Sequence, residues 1–400
     1  VVKAARAVAS SGARCCVKYH VVVELSDPAN LDIAHIVGGE EARWIVGPEL
    51  IGRITVQTCR QSGLSNIYQE LLDFDRNEIY VTDQPSLVGL TYFDAQLSFD
   101  DSTVIGVVRS GGVLINPIGT LVLEVGDQLI VIAEDDSAIR LGQPHPITPT
   151  GITQRERPAP APERILVLGE NQTLSTMLIE LDQYVAPGSA ATIVTRRKPR
   201  PLPELVGLTV TAQQGDATNR RTLEALDPTA FDHIIVLADM TVGAQQADSR
   251  TLVTLLHLRD IASRAGKDLN IVTEMLDDAN RELAEVTEAD DFIVSDKLVA
   301  LTLAQISENG ILAEVFDVLF SSASSEMYLH PAEEYVELGA EVDVTTVMEA
   351  ARLRGETAIG YRQAARARDK SAGYGVQLNP PKSKRVIFHP RDQVIVLGER

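Results

Sequence analysis

The sequence of 400 residues predicts an α/β protein built in two tandem copies. Each copy is a doubly wound parallel lobe, a helix-turn-helix crossover and a small β-rich lobe, and the first is incomplete at its N-terminus. Three observations predict this. Short continuous apolar runs alternate with amphipathic helical stretches, as in a parallel sheet covered on both faces. One set of residues recurs in the same order about 250 positions later. Each copy then closes with several short β runs separated by glycine turns.

The repeat is read residue by residue. Val23-Glu24-Leu25-Ser26-Asp27-Pro28-Ala29-Asn30 answers Thr273-Glu274-Met275-Leu276-Asp277-Asp278-Ala279-Asn280, and Ala34 answers Ala284. Trp44-Ile45-Val46 pairs with Phe292-Ile293-Val294, and Leu50 with Leu298. Asn116-Pro117 returns as Asn379-Pro380, and Asp127-Gln128-Leu129-Ile130-Val131 as Asp392-Gln393-Val394-Ile395-Val396. Recurrence at a fixed spacing marks duplicated structural units. The second copy starts near Glu163, behind Pro158, Pro160 and Pro162, which cannot join regular structure. Its counterpart in the first copy falls well before Val1, so the chain is expected to begin inside a domain, with Val1–Ser10 matching the helix of Leu252, Leu255 and Leu256.

In the second copy, Ile165-Leu166-Val167-Leu168, Thr192–Thr195, Ile234-Ile235-Val236-Leu237 and Asn270–Thr273 read as strands of one sheet. A helix near Leu174–Asp182 and another carrying Leu252, Leu255, Leu256 and Ile261 cover it. The helix Asp296–Glu308 is apolar nearly all round (Leu298, Val299, Leu301, Leu303, Ile306), so it must be buried on all sides, on its own sheet and on a neighbour. Asn309-Gly310 turns into Ile311–Phe320. The first copy repeats the device with Ser62-Gly63 ahead of Leu64, Ile67, Leu71 and Leu72. These second crossover helices also need a partner, the other copy or another subunit, because an apolar face that wide is rarely left exposed. The β-rich lobes contain Val104–Val108, a Gly111-Gly112 turn, Leu121-Val122-Leu123 and Leu129–Ile132, and residues 326–400 follow the same plan.

Composition narrows the function classes. The hydrophobic share is 44% and the charged share 23%, ordinary for a globular protein. With 56 acidic and 36 basic residues the net charge is −20, which argues against binding nucleic acid or anionic lipid. The basic cluster Arg196-Arg197-Lys198 with Arg200 reads as a solvated loop. The three cysteines, Cys15, Cys16 and Cys59, lack zinc-site spacing and suit a reducing compartment. No apolar run reaches the roughly 18–20 residues that span a bilayer, so no insertion of this region into a membrane is expected.

Several stretches carry a family resemblance. The Rossmann-like lobe, crossover and β-rich lobe resemble the RCK domain, and Gly215-Asp216-Ala217-Thr218 fits a turn of its N-terminal lobe. Tyr184-Val185-Ala186-Pro187-Gly188-Ser189, Val131-Ile132-Ala133-Glu134-Asp135-Asp136, Ile51-Gly52-Arg53 and Ala358-Ile359-Gly360-Tyr361-Arg362 resemble the Castor and Pollux ion channels and their bacterial relatives. The resemblance implies a partial first RCK N-lobe with crossover helices over 1–76, its C-lobe over 77–145, a Pro-rich linker over 146–162, a second N-lobe with crossover helices over 163–325 and its C-lobe over 326–400. It implies a cation-channel or potassium-transport role, a membrane pore upstream of Val1, and a homo-oligomeric, tetrameric ring at the cytoplasmic face of the membrane. Relatives of this kind are regulated by calcium. A soluble regulatory subunit of a potassium transporter and an NAD(P)-dependent oxidoreductase are the other readings.

No enzyme constellation is present: there is no HExxH, GxSxG or P-loop. The turn after the first strand of the second copy reads Gly169-Glu170-Asn171-Gln172-Thr173-Leu174, where dinucleotide binding needs GxGxxG. The second strand ends Val194-Thr195-Arg196, without an acid for a ribose, so NAD is not expected in this copy. The acid pairs Glu24-x-x-Asp27 and Glu274-x-x-Asp277 each follow a buried strand, at the carboxyl edge where open α/β sheets take ligands. Carboxylates there suit calcium, which takes six to eight oxygens. The other reading of Asp27 and Asp277 is that they cap the next helix. Asp135-Asp136 and Asp100-Asp101 are further acidic candidates.

Overall fold

The computed structural model describes residues 20–285, 291–322 and 325–399; the match expected for Val1–Ser10 lies outside them. The first copy supplies β1 (Val21–Leu25), α1 (Leu31–Gly38), β2 (Ala42–Val46), α2 (Gly47–Arg60) and α3 (Leu64–Leu72). Next come β3 (Glu78–Asp83), α4 (Tyr92–Leu97), β4 (Thr103–Arg109), β5 (Gly112–Ile115) and β6 (Gln128–Ala133). The second copy begins with β7 (Arg164–Leu168), α5 (Leu174–Tyr184), β8 (Ala190–Thr195), β9 (Thr209–Gln214), α6 (Arg220–Leu226) and β10 (His233–Val236). It goes on through α7 (Ala244–Ala265), β11 (Ile271–Met275), α8 (Asp278–Glu285), β12 (Asp291–Val294), α9 (Ser295–Glu308) and α10 (Leu312–Leu319). It closes with β13 (Glu326–Pro331), β14 (Glu341–Asp343), α11 (Val344–Arg352), β15 (Thr357–Arg362), β16 (Val376–Leu378), β17 (Arg385–Ile387) and β18 (Gln393–Gly398).

These elements form two compact units, Val1–Ser65 with Ala159–Gly310, and Asn66–Pro158 with Ile311–Arg400. In the first, six parallel strands run in the order β12-β11-β10-β7-β8-β9. That is a doubly wound sheet whose strand order reverses between β7 and β10. Burial on both faces explains the continuous apolar runs: Ile165, Leu166, Val167, Ile234 and Ile235 are all inaccessible to solvent. Leu255, Leu258 and Ala262 of α7 close one face over Leu166, Val194 and Ile234. Gly266, with φ at +62°, ends α7 in the left-handed conformation that glycine adopts without strain. The first copy contributes the parallel pair β1–β2, in register from Val21↔Ala42 to Leu25↔Val46.

The copies share their long helices. α2, which follows β2, packs on α5 and on β10, β11 and β12, whereas α9 lies on β1 and α2 as well as on its own β12. This double cover is the physical reason for the all-round apolar character of α9. The turn at Gly63 is held from the second copy. The Asp291 carboxylate accepts from the amides of Gly63 and Ser65 at 2.8 and 3.3 Å, and from the Ser65 hydroxyl at 2.5 Å.

The second unit contains two antiparallel sheets, β3-β6-β4-β5 and β13-β18-β15-β16, with a β14–β17 pair beside the latter. Their kinship extends to irregularities: register shifts at Gly106 in β4 and at Gly360 in β15. A Cβ at Gly106 would meet Leu114 O at 2.5 Å, and any side chain at Gly360 would strike Gln377 O, so both positions need glycine. Ile67, Tyr68, Leu71 and Leu72 of α3 and Leu312, Val315, Phe316 and Leu319 of α10 are buried. α10 packs on β5 and β13, and Tyr68 meets Phe320 edge-on at 5.1 Å. The cover these helices need comes from within the chain. The stretch before Pro158 is also fastened: Ile152 bridges to Val336, and the Thr153 amide donates to Tyr335 O at 2.8 Å.

Candidate ligand-sensing site

Glu24 and Glu274 occupy equivalent places on their ladders, Glu24 opposite Ile45 and Glu274 opposite Ile293. Their surroundings differ. Glu24 is exposed, and a Cβ at Gly47 would lie 3.1 Å from its Oε1. Glu274 is fully buried and accepts from Asn171 Nδ2 at 2.6 Å, Ser295 Oγ at 2.7 Å and the Ala238 amide at 3.1 Å. Burial pushes its pKa above the usual carboxylate value, and the three donors oppose that rise.

The two aspartates make matching local bonds. Asp27 Oδ1 accepts from the Ala29 amide and Asp277 Oδ1 from the Ala279 amide, both at 3.0 Å. Both are exposed caps of the turns that follow their strands. Behind Asp277 lies a residue the sequence reading missed. Asp248 of α7, inaccessible to solvent, accepts from the amides of Leu276 and Asp277 and from Asn280 Nδ2 at 2.8–3.0 Å. The available signal was an acid in helical register with Thr251, Leu255, Leu258 and Ala262, the covered face of α7. Among the described residues, no group of three or more His, Cys, Asp or Glu side chains is assembled around a common point. Of the other acidic candidates, Asp135 caps Ser137 and Ala138, and Asp100 bonds to Ser383.

Beside the switch point lies a cleft of about 250 Å³, lined among others by Gly169, Glu170, Arg196, Arg197, Lys198, Arg200, Asp216, Asp239 and Arg250. The basic cluster is the exposed loop expected, it also lines this cleft, and part of its charge is matched. Arg196 pairs with Asp239 at 3.1 Å, Arg200 with Glu170 at 3.0 Å and Arg250 with Asp216 at 3.3 Å. The residues at the turn are a poor fit for a dinucleotide pyrophosphate. Gly169 keeps the tight turn, with φ at +108°. Asn171, however, stands where a second glycine would let backbone approach, and its Oδ1 already accepts from the Thr173 amide and hydroxyl at the start of α5.

Two of the sequence stretches that carry the family resemblance meet at one junction. Gly52 in the middle of α2 lies so close to α5 that a Cβ there would be 3.2 Å from Thr176 Cβ and Cγ2. Arg53 pairs with Glu180 at 3.3 Å, and Gln57 Nε2 donates to Tyr184 Oη at 3.2 Å. Arg60 lies over the Tyr184 ring, donates to Tyr184 O and pairs with Glu163 at 3.1 Å. This junction joins α2 of the first copy to α5 of the second.

The fold and these shared helices define the class: tandem RCK-type units. The human SLO3 gating ring superposes with a TM-score of 0.67 over 94% of this chain and 81% of that chain, at 12% identity, a likeness of fold alone. Residues 48–148 match the family described as Castor and Pollux, part of voltage-gated ion channel, and the chain takes its place in the Castor/Pollux family. It is 32% identical over 427 residues to the probable ion channel CASTOR of Oryza sativa subsp. japonica, covering 95% of this chain and 47% of that protein. It is 33% identical over 403 residues to the probable ion channel SYM8 of Pisum sativum (90% and 45%). Against the ion channel CASTOR of Lotus japonicus it is 31% identical over 426 residues (95% and 49%). The chain spans about half the length of the curated relatives it matches. Among the described residues no helix is long and apolar enough to cross a membrane.

Proposed function

We propose that this chain is the cytoplasmic, ligand-sensing gating-ring region of a cation channel, and that it acts as a regulator rather than as an enzyme. The observation that carries the reading is the duplicated Glu-x-x-Asp, with Glu24 and Glu274 at matching ladder positions on the carboxyl edges of two parallel sheets. Calcium is the ligand: a hard cation taking six to eight oxygens, which carboxylates and edge carbonyls supply. Glu24 and Asp27 are open to an ion as they stand. Glu274 would exchange its Asn171 and Ser295 bonds for the ion, so the second copy binds only with rearrangement. That rearrangement would loosen Asn171 at the start of α5, against which α2 packs.

Several copies in a ring, four in the simplest case, would pass this movement to a membrane pore outside these 400 residues. Ile33 and Ile36 of α1, and Val253 and Leu256 of α7, are exposed apolar residues suited to such assembly, Ile36 being 83% accessible. Titration calorimetry of the 400-residue chain with calcium and with magnesium tests the reading. Calcium should bind, magnesium more weakly because it dehydrates reluctantly, and Glu24→Gln should weaken calcium binding. Absence of calcium binding at millimolar concentration would overturn it.

A further inference from the structure

We propose that Asn270 and His233 form a proton-sensitive latch holding the C-terminal end of α2 against the second sheet. The latch adds a second input, protons, to the calcium reading and does not depend on it. Its geometry starts from Cys59, whose carbonyl lies in the last turn of α2 and has no acceptor role left within the helix. Asn270 Nδ2 donates to that carbonyl at 3.0 Å. A carbonyl only accepts, so the amide must present its nitrogen, and this fixes the orientation of the Asn270 side chain. The same nitrogen lies 2.9 Å from His233 Nδ1. His233 Nδ1 must therefore be bare, with the ring proton on Nε2, which faces Glu163 Oε2 at 3.7 Å.

Two buried acceptors are left without hydrogen bonds, Asn270 Oδ1 and Glu163 Oε2. A proton arriving on His233 Nδ1 would place an N–H against the Asn270 NH2. Turning the amide relieves the clash and satisfies Oδ1, but it brings Oδ1 toward Cys59 O and ends that bond. Protonation thus removes the cap of α2, while the imidazolium gains Glu163 as its counter-ion.

The charged groups around the ring are Glu163 ahead of β7, Arg60 from α2 and Asp232 ahead of β10; burial keeps the Cys59 thiol protonated. Burial depresses the His233 pKa and Arg60 depresses it further, while Glu163, Asp232 and the Cys59 carbonyl oppose both. The latch is therefore closed at neutral pH and opens on the acid side of the ordinary histidine value. Because α2 belongs to the first copy and rests on the second copy's sheet, opening it slackens the link between them.

Hydrogen–deuterium exchange of the 400-residue chain at neutral pH and about two units lower, corrected for intrinsic rates, reads the latch directly in peptides covering residues 57–64. Protection there should fall about tenfold or more in acid. His233→Gln, which carries no titrating group, should lose that pH dependence. Asn270→Asp, which cannot donate to Cys59 O, should be poorly protected at both pH values. Equal protection of the wild type at both pH values, a retained acid response in His233→Gln, or normal protection in Asn270→Asp would each overturn the latch.

Discussion

Asn379 accepts a 2.8 Å hydrogen bond from the Thr103 hydroxyl. Its repeat partner Asn116 accepts one of the same length from Thr357. Both asparagines are left-handed, with φ at 47° and 49°, and each reaches the first residue of a strand in the other copy's β-rich lobe, β4 or β15. The second unit is thus built around reciprocal bonds between duplicated residues. Symmetry breaks three residues later, where Gly119 corresponds to Lys382. Lys382 is buried and donates to Ser102 O and Thr103 Oγ1 at 2.8 and 3.0 Å, and burial lowers its pKa to about 8.

Asn379→Ala should destabilise the second unit by about 2 kcal/mol, because it combines a lost buried hydrogen bond with left-handed strain. Asn379→Gly keeps the backbone free and should cost only about 1 kcal/mol. Urea unfolding compares them; equal losses would mean that strain plays no part.

Gly52→Leu should cost at least about 2 kcal/mol, since the branched side chain has no room beside Thr173 and Thr176 of the α5 region. Gly52→Ala gains helix propensity of about 1 kcal/mol but forces a 3.2 Å contact onto Thr176. It should come out near neutral alone and clearly stabilising with Thr176→Ala. Denaturation midpoints of the three variants decide this.

How much of this was legible in the sequence follows from the range of the interactions. The duplicated fold was, because buried strands such as Ile234-Ile235-Val236 and acid pairs such as Glu24 and Asp27 are local patterns that recur. The exchange of helices was only half legible: the apolar girth of α9 demanded two neighbours, but nothing local named β1 as one of them. The fate of Glu274 was hidden, since its partner Asn171 lies 103 residues away. So was Asp291, which serves a turn 228 residues earlier. Gly52 could be quoted as part of a family-like stretch, yet only the nearness of Thr176 explains why a glycine stands there.

Arg157, close to the prolines between the copies, donates to Glu334 and Glu356, both at 2.7 Å, and to the Tyr335 hydroxyl. Arg157→Met leaves Glu356 without its cation and Glu334 with only the more distant Arg354, at 3.8 Å, and should destabilise by about 3 kcal/mol. Adding Glu356→Gln should recover part of that loss. A double variant no better than the single one would contradict the ion-pair account.

His330 is half-buried beside Tyr328 and Tyr335, and this burial lowers its pKa to about 3 with help from Arg157 and Arg354. The unfolded chain takes up a proton near pH 6.5, whereas the native state does not. The associated stability is therefore whole above about pH 6.5 and is lost as pH falls toward 3. The slope approaches about 1.4 kcal/mol per pH unit. His330→Gln should flatten the wild-type fall between these limits, read as unfolding midpoint against pH; an unchanged slope would place the sensitivity elsewhere.

The central claim, a ring region sensing calcium through paired edge carboxylates, is tested most directly by the melting temperature of the chain with calcium and with chelator. Binding to the native state adds RT ln(1 + [L]/Kd), about 2.7 kcal/mol at a hundredfold excess over Kd. Calcium should therefore raise the melting temperature, and magnesium less. In the Asp27→Asn, Asp277→Asn double variant the shift should shrink strongly while the melting temperature under chelator stays close to that of the wild type, because asparagine caps a turn about as well as aspartate. A double variant that keeps the full calcium shift would contradict the claim and leave both aspartates as caps alone.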